Sequence, residues 1–423
     1  MQLHELVDKA YQSFLQQLPD NRIVLLHPQS RYRSMLIAKL LNSPDHQVFY
    51  YAMGPDDINL QSFLTSITHD LADQHPTFGR HINMLSQEVY ENPVGHFDLV
   101  MDTFVKDLME ISDRDFLLVL DEYDRSDTAD DVQRFVERLS AHLPAKGRIV
   151  VNGRTLPRLP WVSMIAQHRA VILRDDEVIL DDFYDNKREG EGGMDIYALG
   201  PGFVRADGEP IDNWEGHLPR LLFFFALDRP VITRSEICQA FWPDLDPDQA
   251  VNVFHVTKRR LHKALENDVL IHDDGYYKIN PEMPVYYDVM EFVSTLMKAR
   301  QVQTIEEKMA LWEKAAELYG GPFLQGHDED WINQRREEFR AGYLEALTGM
   351  ADFFVENDRA EQALQLYQTA LEEDETREDI HRKTMKIFVE LGRRSEAAGH
   401  YQRMVEMIKP STETQLFYQE LMT

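Results

Sequence analysis

The sequence predicts a multidomain protein: a parallel-sheet α/β domain, a helix-turn-helix unit with a hairpin behind it, and an all-α region of repeated helix pairs. Three observations predict this. Between Asn21 and Arg174 short apolar runs alternate with amphipathic helical patterns, the signature of strands covered by helices on both faces. Around residues 233–279 two helix-start signals precede a basic helix and an Asp-Gly hairpin. Beyond residue 288 a pattern returns after 34 residues, the spacing of stacked helix pairs. The expected organisation is an α/β domain over 1–185, a linker at 186–193, the helix-turn-helix unit over 194–288, and the repeat region over 289–423.

In the α/β region the strand candidates are Ile23–Leu26, Val48–Tyr51, Phe116–Leu120, Ile149–Val151 and Ala170–Leu173. Helix candidates lie near Met35–Leu41, Leu60–Ala72, Leu99–Glu110 and Asp131–His142. An acidic stretch, Asp175–Asp185, then leads into Asn186–Gly193, whose three glycines and charged residues read as a linker.

Thr233 and Glu236 have the spacing of a capping box, opening a helix that stops before Pro243. Asp246-Pro247-Asp248 opens the next helix, with Asp as cap and Pro in the first turn. On a helical wheel Ala250, Phe254, Thr257, Leu261 and Leu265 share one face, which must be the core. Asn252, His255, Val256, Arg259 and Lys263 lie opposite, flanked by Lys258 and Arg260. Leu270–His272 and Tyr276–Ile279, joined through Asp273-Asp274-Gly275, form a hairpin. Helix, turn, basic helix and hairpin make a winged helix-turn-helix. An earlier hairpin over Ile196–Ile211 turns at Ala206-Asp207-Gly208.

The chain has 423 residues, room for about two to four domains. Its formal net charge of -29 argues against nonspecific coating of nucleic acid. It leaves room for a local basic patch, because screening confines charge effects to about 10 Å. The 194–288 unit itself holds nine Lys/Arg against sixteen Asp/Glu, a net of -7. One cysteine, Cys238, excludes an internal disulfide and a cysteine zinc site, and suits a reducing cytoplasm. The polar, acidic start carries no signal peptide, and the longest apolar run, Leu221–Leu227, is too short to span a bilayer. The histidines show no paired metal-ligand spacing, so neither a metal nor a cofactor is expected.

Tyr197-Ala198-Leu199-Gly200 and Gly275-Tyr276-Tyr277-Lys278-Ile279 resemble the opening and wing of winged helices in response regulators and in streptomycete antibiotic regulatory proteins. The resemblance implies double-stranded DNA. Arg259 and Asn252 would then read guanine and adenine. Lys258, Arg260, Lys263 and Lys278 would touch phosphate, with His255 on the same face. Many winged helices bind protein, and the -7 balance keeps that alternative open.

In the last region Val355–Arg359 recurs as Val389–Arg393, and Ala363, Tyr367 and Gln368 recur as Ala397, Tyr401 and Gln402. This is a tetratricopeptide-like period. Leu318–Leu324, Trp331, Arg335-Arg336 and Gly392–Ala397 resemble the bacterial transcriptional activator domain. The family usually carries Glu-Leu-Gly before the final Pro-Ser; here Met404–Ile408 leads straight to Lys409-Pro410-Ser411. Such repeats offer a surface to RNA polymerase, to another protein or to a second copy of the chain.

The α/β region resembles the signal-transduction ATPases with numerous domains (STAND proteins). Phe116–Glu122 looks like a Walker B strand, with Asp121 for magnesium and Glu122 for water. Val150–Arg154 and Leu156–Pro160 resemble the sensor segment. The phosphate cradle departs from the family. A cradle needs glycines and a lysine; here His27, Ser30 and Tyr32 occupy the glycine positions and Arg33 the lysine position, leaving Ser34 as the one matching ligand. The family's helical lid is also missing from the sequence between the fifth strand and the acidic stretch. The expectation is a non-enzymatic, cytoplasmic DNA-binding regulator with a P-loop-like pseudo-ATPase domain that senses or docks a partner. The alternatives are a non-DNA adaptor and an ATP-binding signal-transduction ATPase.

Overall fold

The apolar runs pair because each is too short and too apolar to stand alone. A computed structural model describes residues 3–175, 177–178, 187, 189–190, 193–273 and 275–422. The chain separates into two units, one of residues 1–196 with 203–287, the other of residues 197–202 with 288–423.

The first unit opens with α1 (Leu3–Gln17), β1 (Ile23–Leu26), α2 (Arg33–Leu41), β2 (Gln47–Ala52), α3 (Leu60–Gln74), α4 (Gln87–Glu91) and α5 (Phe97–Ile111). There follow β3 (Phe116–Asp121), α6 (Asp130–His142), β4 (Gly147–Asn152), α7 (Trp161–Ala166), β5 (Ala170–Arg174) and β6 (Glu177–Val178). The sheet order is β2-β3-β4-β1-β5-β6. The first five strands are parallel and β6 turns back on β5. Strand β1 is buried along its whole length. Val24 and Leu26 face Phe14, Ile37 and Leu40 in one apolar layer, while Phe63, Phe104 and Phe135 pack edge to face in another. Most of the acidic stretch and half of the expected linker at 186–193 lie outside the described residues.

The same unit continues with β7 (Met194–Tyr197), β8 (Phe203–Ala206), β9 (Glu209–Pro210), α8 (Leu218–Ala226), β10 (Ile232–Thr233) and α9 (Arg234–Phe241). Then come α10 (Pro247–Leu265), β11 (Leu270–Asp273), β12 (Tyr276–Ile279) and β13 (Val285–Tyr287). Between β8 and β9, Asp207 at φ 49° and Gly208 at φ 84° supply the two positive angles of a tight hairpin turn. Strand β13 runs parallel to β7 and extends that sheet to the order β13-β7-β8-β9. This three-residue strand follows a proline and gave no periodic signal.

The second unit is helical: α11 (Asp288–Gln301), α12 (Ile305–Leu318), α13 (Asp330–Glu356), α14 (Ala360–Glu373), α15 (Glu378–Glu390), α16 (Arg394–Met407) and α17 (Thr412–Met422). The sequence repeat is a repeat of geometry. Asp358 at φ 56° and Gly392 at φ 74° make the same left-handed turn. Beside them Arg359 donates its N–H to the Phe354 carbonyl at 2.8 Å, and Arg393 to the Phe388 carbonyl at 2.7 Å. Each guanidinium lies over the same phenylalanine's ring, at 4.4 and 5.0 Å. Ala363 and Ala397 are fully buried where helices touch.

Candidate nucleic-acid interface

Helix α9 starts where Thr233 accepts the Glu236 N–H and Glu236 accepts the Thr233 N–H, at 3.1 and 2.8 Å. Helix α10 starts where Asp246 accepts the Asp248 N–H at 3.0 Å, and ends at Glu266 in a left-handed conformation. Ala250, Phe254, Thr257, Leu261 and Leu265 are buried. The apolar residues of α8, Leu221 to Phe225, are buried too, and α8 packs on α10. Phe254 meets Tyr277 of β12 edge to face at 4.9 Å, so one ring seats both the helix and the wing strand.

That seating leaves Asn252, His255, Val256, Arg259, Arg260 and Lys263 exposed on one side of α10. Asn252 and Arg259 take no partner among the described residues. The other cations are engaged. Lys263 and Arg260 both pair with Glu215, Arg260 at 3.7 Å, and Lys263 holds the Glu215 carboxyl below its usual range. Lys258 lies over the Tyr277 ring at 5.2 Å, half-buried, and burial lowers its pKa. Lys278, the basic residue of the wing, bonds Asp273 at 2.7 Å. The sequence pattern placed the basic face but did not show Glu215, which sits 45 to 48 residues earlier in the chain on a non-repeating loop.

In the α/β domain the turn after β1 uses its own donors. The Gln29 N–H donates to the His27 ring at 3.1 Å and the Ser30 N–H to the His27 carbonyl at 2.9 Å. Pro28 has no N–H, and His27 is buried. Arg33 reaches the Gly153 carbonyl at 2.5 Å, and Ser34 is exposed on α2. Asp121 accepts hydrogen bonds from the Tyr50 hydroxyl at 2.8 Å, the Asn152 amide at 2.6 Å and the Glu122 N–H at 2.7 Å. Burial, helped by that bond, pushes Tyr50 up to about 12, so its phenol remains the donor. Glu122 is left-handed at φ 50° and pairs with Arg125. Arg33, Asp121 and Glu122 are each held by the protein's own groups, and the residues present do not fit a nucleoside triphosphate with magnesium. Two donors of the turn, the Gln29 and Ser30 N–H groups, are already taken, and Pro28 offers none.

Among the described residues, one group departs from the expectation of no metal-ligand company. His81, Asp107 and Glu110 bring ligand atoms within 4.8 Å of one another. Both oxygens of buried Asp107 already accept backbone N–H groups, from His81 and Ile82, at 3.0 Å each. That carboxylate ties the short turn at 81–84 to α5.

The repeat region carries a groove of about 560 Å³ lined by α14, α15 and α16 residues, among them Leu364, Phe388, Arg393 and His400. His381 faces the Glu375 carbonyl with Nε2 at 2.9 Å and His400 Nε2 with Nδ1 at 2.8 Å. A single consistent proton arrangement has His381 donating to the carbonyl and His400 donating to His381, with both rings neutral. Burial, then His381 and Arg403, push His400 down to about 4. The unfolded ring titrates near 6.5. The folded state therefore binds fewer protons between these values, and stability present above pH 6.5 is lost as pH falls towards 4. Urea unfolding at pH 7 and pH 4.5 should show wild type losing about 2–3 kcal/mol more than His400→Gln.

Among the described residues, no helix is long and apolar enough to cross a membrane. Residues 287–421 match the family described as the bacterial transcriptional activator domain, so the resemblance of the helical region is shown. Over 55% of its length the chain is similar to EmbR of Mycobacterium tuberculosis, solved in complex with a low-affinity phosphopeptide, at 19% identity and TM-score 0.44. Over 100% of its length it is similar to a STAND protein with a tetratricopeptide repeat sensor from Pyrococcus horikoshii, at 13% identity and TM-score 0.26. The chain covers 65% and 66% of those two proteins, just under two thirds of each. No curated protein matches the sequence.

Proposed function

We propose that this chain is a cytoplasmic DNA-binding transcriptional regulator whose α/β domain is a non-hydrolysing sensor or docking domain. The observation that carries the reading is the outer face of α10, where Asn252 and Arg259 stand exposed and without partners among the described residues, on a helix whose other face is fully seated. Arg259 suits paired hydrogen bonds to guanine, Asn252 to adenine, and the exposed Val256 a thymine methyl. Arg260 and Lys263 serve phosphate, which replaces Glu215 as their counter-charge. His255 stands exposed on the same side of the helix. The activator-domain match in the same chain supports a transcriptional role. Its groove suits RNA polymerase, another protein or a second copy of the chain.

Fluorescence anisotropy on a duplex selected from a random pool tests this. Arg259→Ala should weaken the selected duplex by about 1–3 kcal/mol and relax preference at one position. Glu215→Gln should tighten binding to all duplexes. Absence of any saturable, salt-sensitive complex sinks the reading. Calorimetry with ATP and magnesium should show no heat of binding; a signal abolished by Ser34→Ala or Asp121→Ala would reinstate the ATPase reading. The adaptor alternative is favoured by one observation: Arg260, Lys263 and Lys278 are each paired with an acid.

A further inference from the structure

We propose that the α/β domain holds the winged helix by its wing side, through a latch centred on Arg158, in a state from which the wing cannot reach DNA. The proposal rests on the DNA-binding reading above.

Arg158 belongs to the segment after β4 and is 2% exposed. Its guanidinium makes three kinds of contact. It donates to the Asp127 carbonyl at 2.9 Å within its own domain. It pairs with Asp130 at the start of α6, at 2.7 Å. It crosses to Glu236 on α9 of the winged helix. Around this centre the Thr233 hydroxyl donates to Asp130 at 2.9 Å, and Arg134 of α6 donates to Gln239 of α9. The Tyr276 ring of β12 lies 5.7 Å from the guanidinium. Both residues that make the capping box of α9, Thr233 and Glu236, are therefore gripped by the α/β domain.

The grip reaches the wing. Asp273, Tyr276, Lys278 and Ile279 line a cleft of about 650 Å³ whose other wall includes His27, Pro28, Gln29 and Arg154. Lys278 faces this cleft and pairs with Asp273. A DNA backbone running beside the wing needs open solvent along that strand face, and here the α/β domain walls it across the cleft. The contacts beside the cleft are mainly polar and centred on charge, the character of an interface that opens and closes, not of a permanent core. A protein whose competent state is a fraction of the whole binds with its affinity reduced by that fraction.

The test uses the full chain. Asp130→Asn with Glu236→Gln removes the two carboxylate charges that Arg158 holds and keeps a hydrogen-bonding side chain at the third helical position of α9. Arg134→Cys with Gln239→Cys, in a Cys238→Ser background, reports closure by cross-linking with a short bismaleimide. Circular dichroism checks that each variant folds. The probe is a random-sequence duplex pool at low salt. The expected results are a several-fold fall in cross-link yield when the latch charges are removed, and duplex binding tighter by on the order of tenfold, as for a competent state about 10% populated before release. The cross-linked chain should bind duplex more weakly than its uncross-linked form. An unchanged yield, or cross-linked chain that binds as tightly as free chain, overturns the latch while leaving DNA binding intact. A fall in yield with no duplex binding by any form overturns the DNA-binding reading and the proposal with it.

Discussion

Replacing Arg158 by Met should destabilise the first unit by about 1–2 kcal/mol, because it leaves two carboxylates, Asp130 and Glu236, in a poorly hydrated site without their cation, and opening of the latch limits the loss. The loss comes from the acids left behind, not from the pair's net worth, since taking charges out of water offsets much of their attraction. The triple change Arg158→Met with Asp130→Asn and Glu236→Gln should therefore recover most of the stability. Urea unfolding followed by circular dichroism measures both. A single substitution costing less than about 1 kcal/mol would mean that water reaches the carboxylates and the site is not dry. Hydrogen exchange adds location: protection should fall first at the start of α9 and along β12, the elements that Arg158 touches.

Arg158 also shows where sequence reading stops. The five parallel strands were legible because each is a short apolar run between helical patterns, such as Phe116–Asp121 before Asp130–His142. The caps of α9 and α10 were legible because Thr233 with Glu236, and Asp246 with Pro247, act locally. The 34-residue repeat was legible because Asp358 and Gly392 close the same turn. What was hidden is long-range. Arg158 stands in a Leu-Pro segment with no periodicity, and its partner Glu236 is 78 residues away. Glu215 blunts Arg260 and Lys263 from a separate loop, so a basic face counted from α10 alone overstates its free charge. Helix α1 has a different explanation: Val7, Ala10, Tyr11, Phe14 and Leu18 form a buried stripe at helical spacing, but the stretch drew notice only for its polar residues. The nucleotide site was half legible. Missing glycines announced a lost cradle; that His27 caps its own turn, and that Tyr50 and Asn152 hold Asp121, needed three dimensions.

The outer face of α10 can read anything only while its inner face is seated, so Phe254→Ala should be as damaging to function as any change on the surface. Phe254 is fully buried and its ring meets Tyr277. Truncating such a ring costs about 3–5 kcal/mol through lost burial and the cavity left behind. The ring couples α10 to β12, so the helix and the wing strand should loosen together, seen as hydrogen-exchange protection falling in Pro247–Leu265 and Tyr276–Ile279 alike. Duplex binding should then fall in step with the folded fraction and return partly under conditions that restore folding, such as added osmolyte. Arg259→Ala makes the opposite pattern: stability within about 0.5 kcal/mol of wild type, as for an exposed side chain without partners, and lost affinity that osmolyte does not restore. If Phe254→Ala weakened binding without lowering stability, the division of α10 into a seating face and a reading face would be wrong, and Phe254 would have to act on the duplex itself.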